Sequence, residues 1–116
     1  MALPAIFALV HPVGTVLGRA TYNDYFCAYQ NVTIGSGLEG RPPEIGRGVV
    51  VYAGARVIGQ SRIGDNCLVS SGCTVLDSEV PKEHVVWGRY DPKAPNRGYE
   101  WSVTRHNVIV DIFKDA

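Results

Sequence analysis

The sequence predicts an all-β chain wound as a parallel β-helix, and three observations carry that prediction. Branched aliphatic residues recur at every sixth position, at Ile45, Val51, Val57, Ile63, Val69 and Val75. Four residues after each of the first five stands a small or modest side chain: Val49, Ala55, Ser61, Cys67 and Cys73. Polar residues and many of the 13 glycines fill the positions between, as in Ile63-Gly64-Asp65-Asn66-Cys67-Leu68. An α-helix does not account for this spacing, because six residues end well away from the face on which they began. A plain strand repeats every second residue. It leaves the distinction between the aliphatic and the small positions unexplained, along with glycine at the expected corners. A coil with flat faces and sharp corners accounts for all three, with stacked coils pairing through their backbones.

The elements follow in order. The opening MALPAIFALV is apolar but short, contains Pro4 and lacks a basic leader. It reads as the start of the fold rather than a signal or a membrane span, and the protein as cytoplasmic. Leu17-Gly18 and Ile34-Gly35 are weaker examples of the aliphatic-glycine step. They lie 17 residues apart, one short of three hexads, which predicts a missing residue around Tyr22 to Phe26. The glycine- and proline-rich stretch at about 36–44 breaks the period and is expected to protrude as a loop. After Val75 the repeat fades into an irregular, proline-rich exit. These features divide the chain into a β-helix domain at 1–89 and a C-terminal extension at 90–116. The last segment, EWSVTRHNVIVDIF, is β-branched and reads as a strand that covers the open end of the stack.

Eleven basic and 11 acidic side chains cancel, so charge gives no reason to expect nucleic acid or an anionic membrane as partner. The cysteines, Cys27, Cys67 and Cys73, are odd in number and lack metal-ligand spacing, and are expected as buried free thiols. A catalytic zinc on this kind of scaffold calls for three histidines. His84 and His106 are read as lying outside the repeat, which leaves His11 alone, and no metal is expected. Tyr22, Tyr25, Phe26 and Tyr29 could stack on a sugar ring, although such residues more often pack a coil surface or a subunit interface.

The hexad pattern is that of the hexapeptide-repeat proteins, whose fold is the left-handed parallel β-helix. Over residues 9 to 89 the chain resembles serine acetyltransferases and related sugar O-acetyltransferases. The resemblance rests on His11, Gly14, Leu17-Gly18, Ile34-Gly35, Ile45-Gly46 and Ala53-Gly54-Ala55, which fall in the order of the family's motifs. It implies a homotrimer with sites between subunits and acetyl-CoA as co-substrate. His11 would be the general base toward a hydroxyl or amine of a small acceptor. Imidazole suits that task, since its ordinary pKa near ~6.5 lets it take and return a proton at neutral pH. By the same resemblance Ser36, Ala53 and Ser71 line the CoA groove, where small side chains let a pantetheine arm approach the backbone. Arg41 is placed to meet an anionic group on the acceptor or the cofactor. The chain departs from the serine enzymes at Val10, where they carry aspartate, and at Pro42, where they carry a second histidine. Beside the acyltransferase stands a second reading, a trimeric module that keeps the scaffold without catalysis.

Overall fold

The computed structural model describes residues 3–38, 40–88 and the backbone of Tyr99–Trp101. It is a left-handed parallel β-helix of about four turns, with three flat faces. Face A carries β1 (Phe7–Leu9), β3 (Phe26–Ala28), β6 (Val50–Val51), β9 (Leu68–Val69) and β12 (His84–Val86). Face B carries β2 (Val16–Leu17), β4 (Thr33–Gly35), β7 (Arg56–Ile58) and β10 (Thr74–Leu76). Face C carries β5 (Glu44–Ile45), β8 (Arg62–Ile63) and β11 (Glu79–Val80), extended by a bridge from Thr21 to Glu44. The chain visits A, B and C in turn, so each strand pairs in parallel with the one a coil earlier.

Register shows why the period is six. Val51 pairs with Val69, Val57 with Val75 and Ile45 with Ile63. Each pair is three hexads apart, one for each face. The aliphatic side chains therefore stack in vertical columns. Ile45, Val51, Val57, Ile63, Val69 and Val75 are all within 1% of complete burial, and the small series from Val49 to Cys73 is buried beside them. Both series point inward, one along the faces and one at the corners. The three cysteines are buried, as expected.

Corners require residues with φ in the left-handed region, which glycine adopts at little cost. Gly54 and Gly72 do so on one corner, at φ of 73° and 71°. On another, Gly59 (75°) is followed one coil later by Asp77 (46°). Aspartates satisfy corner amides of the preceding coil: Arg47 N donates to Asp65 Oδ1 and Gln60 N to Asp77 Oδ1, both at 2.8 Å.

Three expectations need correction. The missing residue lies ahead of Tyr22, not between Tyr22 and Phe26. Leu17 pairs with Ile34 and Thr21 bridges to Glu44, so the shortened step is the corner from β2 to face C. Tyr22 then takes the inward place next to Ile45, 7% exposed, with its hydroxyl donating to Gly18 O at 2.8 Å. The repeat also continues past Val75. Val80 pairs with Ile63 and Val86 with Val69, both inward. One residue fewer at the corner after β10 shifts the chain out of phase with a count of six, although the coil itself is intact. For the same reason His84 lies inside the repeat, on β12, nearly buried with Nδ1 2.9 Å from Lys82 O.

The aromatic residues divide. Tyr22 and Phe26 pack edge-to-face inside the core, with centroids 5.1 Å apart. Tyr25 lies under the Arg47 guanidinium and Tyr29 against Tyr52, each about 4.8 Å away, on the coil surface. The loop is present as expected. Ile34 and Ile45 are separated by 11 residues in place of six, and Leu38 at its tip is fully exposed. The ends differ: β1 leaves Phe7 and Leu9 about 40% exposed although they stack on the core residues Phe26 and Ala28. At the far end β13 (Tyr99–Trp101) pairs antiparallel with β12, so the start of the expected C-terminal strand does extend the stack. The remainder of that strand, and His106, lie outside the described residues.

Candidate functional site

The corner between faces A and B gathers most of the predicted site. His11 follows Leu9 by two residues, Gln30 follows Ala28, Ala53 follows Val51 and Ser71 follows Val69. Leu9, Ala28, Val51 and Val69 are successive partners in one ladder. Strand register therefore places His11, Gln30, Ala53 and Ser71 in a column, one on each coil. Backbone hydrogen bonds tie the column together. Gly54 N donates to Gln30 O at 3.0 Å and Gly72 N to Ala53 O at 2.9 Å.

His11 is exposed and sits at φ 48°, an uncommon conformation for a residue with a side chain. Its connection, from β1 to β2, is two residues longer than the matching steps in later coils, so His11 stands on a small projection. Val13 N closes the turn by donating to His11 O at 2.7 Å. Gly14 follows because a Cβ there would run into Asn31 Oδ1 of the next coil.

Gln30 is the residue that sequence reasoning missed. Its Oε1 is buried and has no hydrogen-bond partner among the described residues. A buried carbonyl oxygen left unpaired costs about 1–3 kcal/mol, so this atom is a standing acceptor beside the histidine corner. The only signal in the sequence was its place two residues after an inward position, which is shared with Ala53 and Ser71.

Ser36 and Arg41 lie elsewhere. Both belong to the loop at 36–43, on the corner between faces B and C, and both are exposed. Gly37 brings the loop close to the next coil, since a Cβ there would sit 3.2 Å from Gly59 Cα. A groove of about 590 Å³ opens beside the loop, lined by Arg41, Glu44, Ser61, Arg62, Asp77 and Glu79 among others. Arg62 is held by Glu44 at 2.8 Å, whereas Arg41 has no ion pair among the described residues. The single chain thus separates the predicted residues into two groups, with face B between them. Among the described residues no cluster of His, Cys, Asp and Glu is arranged to hold a metal, and no helix is long and apolar enough to cross a membrane.

Comparison with known proteins bears on what such a corner does. Residues 42–77 match the family described as Bacterial transferase hexapeptide (six repeats). A serine acetyltransferase of Synechococcus elongatus is 40% identical over 82 residues, which is 67% of this chain and 33% of that protein. The resemblance is to the serine acetyltransferases. The crystal structure of the Neisseria gonorrhoeae serine acetyltransferase superposes with a TM-score of 0.68 at 37% identity, covering 74% of this chain and 36% of the other. A serine acetyltransferase in complex with CoA superposes at 0.65 with 25% identity, over 77% and 38% of the two chains. The chain therefore spans about a third of the length of the relatives it matches.

Proposed function

We propose that this chain transfers an acetyl group from acetyl-CoA to the hydroxyl or amine of a small acceptor, a sugar or an amino acid. The observation that carries the reading is the column of His11, Gln30, Ala53 and Ser71 on one corner, in a chain similar to serine acetyltransferases, one of which was solved with CoA.

The chemistry follows from the residues. An imidazole nitrogen of His11 takes the proton from the acceptor hydroxyl as its oxygen attacks the thioester carbonyl carbon. The carbon–sulfur bond then breaks, and the proton returns from His11 to the departing CoA thiolate. Ala53 and Ser71 leave the backbone open to the pantetheine arm, and the unpaired Gln30 Oε1 offers an acceptor to one of its amide N–H groups or to His11 itself. Ser36 and Arg41 belong to the same site if the loop of a neighbouring protomer meets this corner. Their separation within one chain favours a homotrimer with sites between subunits, and we place the protein in the cytoplasm. In this reading the catalytic unit is the β-helix, residues 1–89, and 90–116 is an extension. Val10 and Pro42, in place of an aspartate and a histidine, favour an acceptor other than serine. They also keep, as the second reading, a non-catalytic trimeric module that acts as a binding or structural protein.

Calorimetric titration with CoA and acetyl-CoA tests the first half of this proposal. Saturable binding near one equivalent per chain is expected, and no binding at millimolar ligand rules the acyltransferase out. His11→Ala tests the second half. It is expected to lower turnover by about 10²–10⁴-fold with CoA affinity nearly unchanged, and an alanine variant of full activity removes His11 from the mechanism.

A further inference from the structure

The corner between faces A and B narrows along the stack. On the three middle coils it is turned by residues 29–31, 52–54 and 70–72. Backbone bonds fix that match: Tyr29 N and Thr33 N donate to Val51 O and Ala55 O, and Tyr52 N and Arg56 N to Val69 O and Cys73 O. On the first coil residues 10–14 turn the same corner, because Val10 N and Val16 N donate to Ala28 O and Val32 O. On the last coil Trp87 alone does so, because Ser70 N and Thr74 N donate to Val86 O and Gly88 O. His11 therefore projects at one end of the corner, and Trp87 stands in a step cut back at the other.

The step is open. Trp87 keeps 41% of its surface exposed. Gly72 on the coil above and Gly88 next along the chain hold φ of 71° and 68°, where side chains are disfavoured. Among the described residues, nothing lies within 4 Å of where a Cβ would stand at either glycine. Between the two ends, Tyr29 and Tyr52 stack with ring centroids 4.8 Å apart and wall the corner along face A. None of residues 29–31, 52–54 and 70–72 carries a formal charge, which suits the neutral amides of a pantetheine arm.

Length decides which part of the cofactor reaches Trp87. Four steps of about 4.8 Å separate the first coil from the fifth, roughly 19 Å in all. The pantetheine arm, about 12 bonds from the sulfur to the first phosphate oxygen, extends no more than about 14 Å at the reach of an extended chain. With the thioester held at His11, the arm ends short of Trp87. What lies beyond the arm is the adenine nucleotide. An indole offers a purine a broad face on which to stack.

We propose that Trp87 is the base-binding residue of the cofactor site, with its indole stacked on the adenine ring of CoA. The arm then lies along the corner with its thioester on the first coil and its nucleotide on the fifth. This rests on the reading of the chain as an acetyl-CoA-dependent enzyme, and gives that site a direction and a residue at its far end.

Calorimetric titration of the full chain with CoA, and with phosphopantetheine, which lacks the adenine nucleotide, tests it. Trp87→Ala is expected to weaken CoA about tenfold or more and to leave phosphopantetheine unchanged, and Trp87→Phe to restore most of the CoA affinity. Equal CoA affinity in the parent and Trp87→Ala, or an equal loss for both ligands, overturns the proposal while the acyltransferase reading stands. A parent chain that does not bind CoA overturns both. Should Trp87→Ala unfold, fluorescence decides. The chain has two tryptophans, so in Trp101→Phe the emission comes from Trp87. Saturating CoA is expected to quench it and phosphopantetheine to leave it unchanged. Emission that CoA does not alter, or that both ligands quench alike, overturns the proposal.

Discussion

Alanine at two glycines of nearly equal φ separates the cost of backbone strain from the cost of a lost contact. Gly72 lies at φ 71° with open space where a Cβ would stand, and Gly59 lies at 75° with Asp77 Oδ1 in that place. Gly72→Ala should then carry the strain of the left-handed conformation alone, about 1–2 kcal/mol. Gly59→Ala carries the same strain and also displaces the carboxylate that accepts from Gln60 N at 2.8 Å. A hydrogen bond to a charged group contributes about 1.5–3 kcal/mol, so Gly59→Ala should be the worse of the two by roughly 2 kcal/mol. Urea unfolding at one fixed protein concentration, followed by circular dichroism, measures both. A third variant closes the argument. In an Asp77→Gly background the carboxylate is already gone, and adding Gly59→Ala should cost no more than Gly72→Ala does. Equal losses at the two glycines, or strict additivity with Asp77→Gly, would refute the claim that the aspartate ladder stabilises the corners.

Other consequences are open to measurement. Burial raises the Cys27 thiol from 9.0 to about 11 and the Tyr22 phenol from 10.0 to about 12. Both groups are neutral when protonated, so the unfolded chain ionises first as pH rises. Stability is complete below pH 9 and falls between 9 and 11 for the thiol and between 10 and 12 for the phenol, by up to about 1.4 kcal/mol per pH unit for each. Unfolding titrations on Cys27→Ala should show a shallower fall across the lower window, and an unchanged slope would speak against the buried thiol. Glu44→Gln breaks the pair with Arg62, whose side chains are 56% and 64% exposed. It should cost under about 1 kcal/mol and lose its effect in high salt, and a loss above 2 kcal/mol would show a role beyond a surface ion pair. Arg41→Ala should raise KM for an anionic acceptor about tenfold or more while kcat moves little, as steady-state kinetics with varied acceptor would show. A fall in kcat alone would take Arg41 out of acceptor binding.

The period-six alternation of Val51, Val57, Ile63 and Val69 with Ala55, Ser61, Cys67 and Cys73 was enough to establish a coil with flat faces and sharp corners, and the pairing of residues 18 apart shows that the faces number three. Each face consumes one hexad, and every coil must set the same kinds of side chain above those of the last. A loop at about 36–44 and the burial of the cysteines were legible on the same grounds, although Glu44 already belongs to β5. Phase was not. Single-residue deletions before Tyr22 and after Val75 leave the backbone pairing intact while defeating a count along the chain, because parallel register is fixed by hydrogen bonds between coils. For that reason His84 looked external and Val80 and Val86 went unassigned.

The histidine corner was half legible. His11, Ala53 and Ser71 were named from motif order, but only the ladder through Leu9, Ala28, Val51 and Val69 shows that they share one column, and that Gln30 joins it with an unpaired oxygen. Ser36 and Arg41 were named with them, and the tertiary structure places those two on a different corner. The sequence by itself determined which side chains repeat, since burial in a stacked coil imposes the same demand every 18 residues. What stands beside what on the surface was decided by the tertiary structure, because the winding brings together residues a whole coil apart, and inserted or missing corner residues alter that distance.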